Sequence, residues 1–538
     1  MPIKSNLVLW IFALIALVWF SNLEYRKLVR PDEGRYAEIA REMVTSGDWV
    51  TPRLDGIKYF EKPALQYWAT AIAYTVFGQH EWTARLWSGL TGFLGILLIY
   101  YTGCRLFGME AGFYSALVLS SSLLYAVIGH INTLDMGVTF FMTLSFCGLL
   151  LAQKIPEKRT AWMAIAWMAM GFSILSKGLI GIVLPGAVLV LYSLLQRDIA
   201  IWKRIKLIPG ILVMLAVSAP WFILVCRDNP EFFHFFFIHE HFERFLTKDH
   251  GRYHPWGYFI PILIAGILPW TVALFGALAG AWKRDNGQFQ PGRFLLVWIV
   301  FIYFFFSMSD SKLPSYILPI FPAAALLIGQ RLSEGGKLFW HFLPVATLSA
   351  IGLMLAPKVV HFADPIVPVE LYRNYVPWLM AAAAVALSGS LYALYASRKN
   401  RNSSAIIAMS LSMLVSGQLI MAGHNSLAPS NSAYRLAQEI KPYLKDDAPF
   451  YSVAMYEQTL PFYIKRTVTP VAYKDELAFG IEQEPDKWIP DIQTFESIWK
   501  KQPYALAIMS PQLYAQLEKE LPMKMIAQDT RRVVVKTP

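Results

Sequence analysis

Six short polar stretches interrupt an otherwise apolar chain, and each carries side chains that could handle an anion, a cation or a proton. The first is Pro31-Asp32-Glu33-Gly34-Arg35-Tyr36. Its paired carboxylates read either as the acidic first turn of a helix, with Asp32 as the cap, or as a carboxylate offered to a substrate. The second, Tyr59-Phe60-Glu61-Lys62-Pro63, sets a Glu beside a Lys and fixes both with a Pro, a compact site for a phosphate plus a cation. An aromatic anchor with a snorkelling Lys at a membrane interface is the alternative. Asp135 ends the minimal turn Gly129-His130-Ile131-Asn132-Thr133-Leu134, as a helix cap or as a group aimed into a cleft. Lys177 stands between two apolar runs, where an ionisable residue is costly and is usually paired or functional, an ordinary interfacial anchor being the alternative. The stretch 232–245 is dense in Phe and holds His239, Glu240, His241, Glu243 and Arg244. Imidazole and carboxylate there could ligate a divalent metal such as zinc, although the spacing matches no standard zinc pattern. Arg244 could grip a phosphate bidentately or pair with Glu240 one turn away. The sixth stretch, Ser309-Asp310-Ser311-Lys312-Leu313-Pro314-Ser315-Tyr316, closes one apolar run and opens the next, with Tyr316 placed to reach a phosphate or a sugar.

The elements that position these residues span a membrane. About thirteen windows of mostly apolar residues recur, near 7–23, 83–101, 112–129, 134–153, 161–176, 178–195, 207–226, 257–281, 293–308, 314–331, 339–356, 377–396 and 404–423. At roughly 16–24 residues each is long enough to cross or nearly cross a bilayer core. The connections alternate in character. One set is basic: Lys154 to Arg159, Arg197 to Lys206, Lys283-Arg284, Arg331 with Lys337, and Arg398 to Arg401. By the positive-inside rule this set is cytoplasmic. The other set contains all six polar stretches, in the 24–82 loop, the 130–135 turn, Lys177, the 227–256 loop and 309–314, so one membrane face is expected to collect them. Residues 7–23 lack a small-residue cleavage pattern and are expected to be a retained first span. Within the 24–82 loop, Tyr36, Ile39, Ala40, Met43 and Val44 recur at helical spacing among Arg35, Glu38, Arg41 and Glu42. That pattern predicts a helix lying in the membrane interface.

Composition narrows the class further. Of 538 residues 56% are hydrophobic and 16% charged, against about a quarter charged in a soluble protein. The net charge of +11 belongs to the membrane part: residues from 425 onward hold 14 Lys+Arg and 14 Asp+Glu. Nucleic acid is therefore not an expected partner. Three cysteines in separate apolar segments form no disulfide framework. The tail alternates β-rich runs (450–455, 467–473, 504–509, 531–535) with helical stretches (434–444, 511–521), which predicts a small α/β domain with some parallel pairing. The fold expected is a polytopic α-helical membrane domain over 1–424 and an α/β domain over 425–538. No Gly-x-Ser-x-Gly elbow, Walker loop or dinucleotide loop is present. An outward-facing site with no nucleotide cofactor needs an activated donor already in the membrane, and a polyprenyl-phosphate sugar is one.

Arg30 to Met43, Tyr59-Phe60-Glu61-Lys62-Pro63 and Ser311 to Leu318 resemble the bacterial aminoarabinose (4-amino-4-deoxy-L-arabinose) lipid A transferases, within the lipid-carrier-dependent C-type glycosyltransferases that include protein O-mannosyltransferases. The likeness extends over the whole chain. It implies a multi-pass protein of the bacterial inner membrane, expected to be a monomer, with its active site and tail in the periplasm. It implies undecaprenyl phosphate carrying aminoarabinose as donor and lipid A as acceptor, an inverting transfer, and a part in cationic-peptide resistance. Position by position, Asp32 matches the family's essential first-loop carboxylate and Asp135 a second acidic residue at the cavity. Lys62, Lys177 and Arg244 would surround the carrier phosphate, while Tyr36, Tyr59 and Tyr316 line the cavity. Glu61 with His239 would match a metal position. Gly34 departs from the Thr expected in close relatives. Two rivals stand beside this reading: a transferase of another carrier-linked sugar, for which Asp32 would be a general base towards a hydroxyl, and a lipid-linked sugar transporter. Transport fits less well, because the charges gather at one face rather than at the midplane.

Overall fold

The computed structural model describes residues 5–243, 254–283 and 287–538, with backbone alone for 240–243. Among the described residues, eight helices are long and apolar enough to cross a membrane: Glu81–Phe107, Leu134–Lys154, Leu207–Asp228, Pro291–Met308, Pro314–Ser333, Phe339–Phe362, Val369–Arg398 and Asn402–Asn431. The pair Trp256–Gly266 and Thr271–Gly280, bent by 110°, makes up to nine. The remaining apolar windows fold as helices outside that set. Residues 7–23 and 178–195 become Ser5–Phe20 and Ile180–Gln196. The 112–129 window divides at the extended Ser122 into Met109–Ser121 and Leu123–Ile128, and 161–176 becomes Arg159–Lys177.

Helices Leu134–Lys154 and Pro314–Ser333 form the centre, each with an apolar window 83% buried, whereas Phe339–Phe362 lies at the rim with 17% buried. Small residues allow the closest approaches, as expected where lipid supplies no hydrophobic drive between helices. A Cβ on Gly103 would lie 2.7 Å from the Gly112 Cα, so Glu81–Phe107 and Met109–Ser121 pack backbone to backbone. At one end of the bundle the basic connections meet: Arg293 reaches Gln196 at 2.9 Å, and Asn402 the Gly336 carbonyl at 3.2 Å. The polar stretches meet at the other end.

There the first loop forms the helix Asp32–Ser46, a short antiparallel hairpin of β1 (Arg53–Leu54) and β2 (Ile57–Lys58), and the helix Leu65–Phe77. The tail carries five strands, β3 (Phe450–Val453), β4 (Thr469–Val471), β5 (Leu506–Met509), β6 (Lys524–Gln528) and β7 (Val533–Lys536), in the order β4-β3-β5-β7-β6. β3 pairs parallel with β4 and β5, while β7 pairs antiparallel with β5 and β6. The expected α/β class and partly parallel pairing hold; β6 is an addition.

The helix Asp32–Ser46 corrects the interfacial expectation. Every residue from Glu33 to Met43 is buried, charges included, because the tail covers the face that the pattern assigns to water. Its ions are satisfied internally. Glu38 takes both of its hydrogen bonds from Arg41, at 2.7 and 2.5 Å, and Glu42 accepts from the Asp55 and Gly56 amides. Asp55 accepts from the Val468 amide at 2.7 Å and from the Tyr456 hydroxyl, both in the tail. Burial, and after it the Glu38 charge, push the Asp55 carboxyl from the ordinary 3.8 to about 7. The folded state then holds the proton more tightly than the unfolded chain does, so this contribution is complete below about pH 4 and is lost as pH rises through 7. Burial raises Glu42 in the same direction. Amide exchange of β1, β2 and the 456–468 segment should therefore be slower at pH 5 than at pH 8 after correction for intrinsic rates, and Asp55→Asn should flatten that difference.

Candidate active site

Two charged groups face each other where the first loop meets the helix bundle. In the first, Lys177 closes the helix Arg159–Lys177 and forms an ion pair with Asp135, in the first turn of Leu134–Lys154. Its ammonium lies 4.8 Å from the centre of the Tyr316 ring. Asp135 is thus no helix cap: Thr133 holds the cap position, and the carboxylate points to the cation. Three distant segments are joined here, by one ion pair and one cation–π contact.

The second group belongs to the first loop. Pro31 occupies the cap position of Asp32–Ser46 and makes no side-chain cap bond, so Asp32 is not spent on capping. The Arg35 guanidinium donates to the Tyr59 hydroxyl at 2.9 Å and lies 3.3 Å from Asp32 and 3.0 Å from Glu476 of the tail. The Asp32 side chain is 41% exposed while Arg35 is buried, so the carboxylate is accessible and the cation backs it. Tyr36 packs on Tyr67 with ring centres 5.9 Å apart. Asp32 also lies close enough to Lys177 to act on its charge, which connects the two groups.

A buried brace holds both carboxylates in register. Glu33, next to Asp32, accepts from Arg85 at 2.7 and 2.9 Å, from the Asn132 amide at 3.1 Å and from the Val29 amide at 3.1 Å, with Arg26 at 3.9 Å. Gln66 donates to the Asn132 side chain at 2.9 Å. Burial alone would raise the Glu33 carboxyl; Arg85 and Arg26 outweigh it and hold it down at about 2. One permanently ionised side chain therefore ties the start of the Asp32 helix to the turn that presents Asp135.

The aromatic loop seats against the same face. Lys58 pairs with Glu231 at 2.6 Å, Phe60 packs on Phe232, and Phe235 stacks on Phe479 of the tail with centroids 3.9 Å apart. Lys62 donates to the Glu61 carbonyl at 2.6 Å, and the Glu61 charge acts on Tyr36, Tyr59, Tyr67 and Glu476. Arg244 lies outside the described residues. His239 stacks on Phe235, ring centres 5.2 Å apart. As a metal position, Glu61 and His239 offer two donors, whereas a zinc site takes three or four from the protein. Among the described residues, the one set of three metal-type side chains within mutual reach is Glu38, Glu42 and Asp55, whose oxygens already hold Arg41, backbone amides and Tyr456. The described residues therefore complete no metal site.

The sequence reading names Glu33, Arg35 and Asn132 without the roles found here, and does not name Arg85 or Glu476. Arg85 carried a usable signal, a cation just inside an apolar window. Gly34 is now explained: a Cβ there would fall 2.5 Å from the Gln458 carbonyl oxygen of the tail, so the close approach excludes a side chain.

Known proteins resemble the chain in both of its parts. A family model described as the aminoarabinose transferase C-terminal domain matches residues 436–537, and one described as dolichyl-phosphate-mannose-protein mannosyltransferase matches residues 61–224. An undecaprenyl phosphate-alpha-4-amino-4-deoxy-L-arabinose arabinosyl transferase of Erwinia tasmaniensis is 35% identical over 358 residues; that alignment spans 64% of this chain and 64% of the relative's own length, just under two thirds. The enzyme of the same description from Edwardsiella ictaluri is 31% identical over 420 residues, 75% of this chain and 74% of that one. Among solved structures, ArnT from Cupriavidus metallidurans bound to undecaprenyl phosphate superposes with a TM-score of 0.95 at 39% identity, over 99% of this chain and 98% of that one. The oligosaccharyltransferase AglB from Archaeoglobus fulgidus, at 14% identity and a TM-score of 0.51 over 97% and 72% of the two chains, shares the fold alone.

Proposed function

The chain belongs to the aminoarabinose transferase family, and from that premise we propose that it transfers 4-amino-4-deoxy-L-arabinose from undecaprenyl phosphate to a lipid A phosphate. The observation that carries the reading is the Lys177–Asp135 pair, lying over Tyr316, with the exposed carboxylate of Asp32 within electrostatic range of it. A cation suited to a lipid phosphate and an anion suited to an aminosugar belong to one site. The protein acts as a monomer crossing the bacterial inner membrane about thirteen times, with this cavity and the 425–538 domain on the periplasmic side; the alternation of basic and polar connections supports that orientation.

An oxygen of the acceptor phosphate forms a bond to the anomeric carbon as the bond from that carbon to the carrier phosphate oxygen breaks. One in-line displacement inverts the configuration, and undecaprenyl phosphate leaves with the bonding electrons. A phosphate acceptor is already ionised near neutral pH, so it needs no strong general base. Asp32 instead orients the sugar's ammonium and opposes positive charge developing on the ring. Lys177 and Lys62 stabilise the departing phosphate, and Arg244 joins them on the strength of the family likeness. Such fixed charges act more strongly where water is excluded. A divalent ion at Glu61 and His239 belongs to that likeness too, and no step uses it. Asp135 keeps Lys177 charged and aimed, leaving its other two N–H donors for the phosphate.

Lipid A mass spectrometry tests the reading in a transferase-deleted strain that still makes the donor. Complementation with this chain should restore aminoarabinose-bearing lipid A, and Asp32→Asn should not. If neither restores it while both are well expressed, the sugar or the acceptor is wrong; if Asp32→Asn restores it fully, the role of the carboxylate is wrong.

A further inference from the structure

The charge network around Asp32 does not close within the membrane part. Its last member, Glu476, comes from the tail and sits on the same Arg35 nitrogen that faces Asp32, at 3.0 Å against 3.3 Å. Glu476 is itself fixed: its other oxygen accepts from Gln458 at 2.9 Å, and its side chain is 10% exposed. The contact is built for proximity, since Gly34 leaves room for the Gln458 carbonyl beside Arg35. Phe479, three residues on, stacks against Phe235 and locks the segment to the aromatic loop.

We infer that Glu476 is a positioning residue for the transfer, acting through Arg35 to keep Asp32 turned to the cavity and available to substrate. The inference rests on the role proposed above for Asp32. One guanidinium nitrogen is divided between two carboxylates. While Glu476 takes part of the Arg35 charge, Asp32 is held only loosely by its own cation. When Glu476 is neutral, the whole charge falls on Asp32, which draws towards Arg35, away from the cavity, and ionises more readily. Other charged or titratable groups facing Asp32 are Tyr36 and Tyr67, from the two loop helices, and Lys177 from the bundle. Those facing Glu476 among the described residues, besides Arg35, are Glu61 and Asp475, and Tyr456 and Tyr473 of the tail. None of these groups is itself altered when Glu476 is substituted.

The test is steady-state kinetics of the full-length protein in nanodiscs, with the carrier-linked sugar as donor, over pH 4–9. Glu476→Gln should lower kcat by about 10²-fold, the scale of a small misplacement of a reacting group. The donor KM should change far less than kcat, since the ring charge that Asp32 opposes develops only in the transition state. The acid limb of the kcat/KM profile should move to lower pH, and Glu476→Asp should recover part of kcat. Glu484→Gln removes a different bond between the tail and the loop, the Arg53 pair at 3.0 Å, and should leave the acid limb in place. Wild-type kcat and profile for Glu476→Gln would overturn the inference, as would an equal shift in Glu484→Gln. Should Asp32→Asn retain full activity, the reading of the site fails; should Asp32→Asn be inactive and Glu476→Gln behave as wild type, only this inference fails.

Discussion

Lys177→Ala abolishes turnover, with kcat lowered by about 10²–10³-fold, the usual result of removing one preorganised charge from a developing anion. The same substitution leaves Asp135 as a largely buried carboxylate without its cation, and breaking such a pair costs about 3–5 kcal/mol. Activity alone would then confuse chemistry with folding. The double variant Lys177→Met with Asp135→Asn separates them, because it removes both charges and leaves nothing uncompensated. Its half-life in detergent at fixed temperature should return to near the wild-type value while its kcat stays low. Recovery of turnover in the double variant would show that the pair is only a brace and that another group binds the departing phosphate.

Glu33→Gln produces the largest loss of stability. The carboxylate neutralises Arg85 and stands by Arg26, both buried, and accepts four hydrogen bonds from three segments. With Gln in its place two guanidiniums share a buried site with no anion, at a cost of about 3–5 kcal/mol. Unfolding of a membrane protein of this size is read as a rate, so the measurement is the thermal inactivation half-life in mild detergent. A sharply shortened half-life is expected, with loss of transfer even in the folded fraction, because the Asn132 turn loses its tie to the Asp32 helix. A half-life equal to wild type would contradict the assignment of Glu33 as the brace.

What the sequence makes legible follows the distances over which its signals act. Apolar windows are local, so the bundle is visible without coordinates, although length alone does not distinguish Ile180–Gln196 from a full crossing. Asp135 and Lys177 are conspicuous because each interrupts apolar sequence, yet nothing in the chain says that residues 42 apart pair with each other. Glu476 offers no signal: it is one glutamate in a neutral tail, and its meaning depends on Arg35. β6 escapes for another reason, since an edge strand with an exposed Lys524 and Met525 lacks the apolar alternation that marks an inner strand. The motif 30–43 identifies the site while its pattern misleads about burial, because periodicity reports which face is polar and not what covers it.

The cover over this helix comes late in synthesis. The helix Asp32–Ser46 leaves the ribosome early, but the Lys465 carbonyl that meets Arg41 is 424 residues further on. At about 5–20 residues per second the wait is on the order of 20–80 s. Through that interval the helix has apolar residues on one side and charges open to water on the other, and the surface of the bilayer is where such a helix rests. Its amphipathic pattern thus describes a waiting state of the nascent chain, and its burial describes the finished enzyme. Ribosomes that stop before residue 465 leave a membrane bundle whose key helix lacks its cover, so about the last seventh of translation decides whether the first tenth becomes a working site.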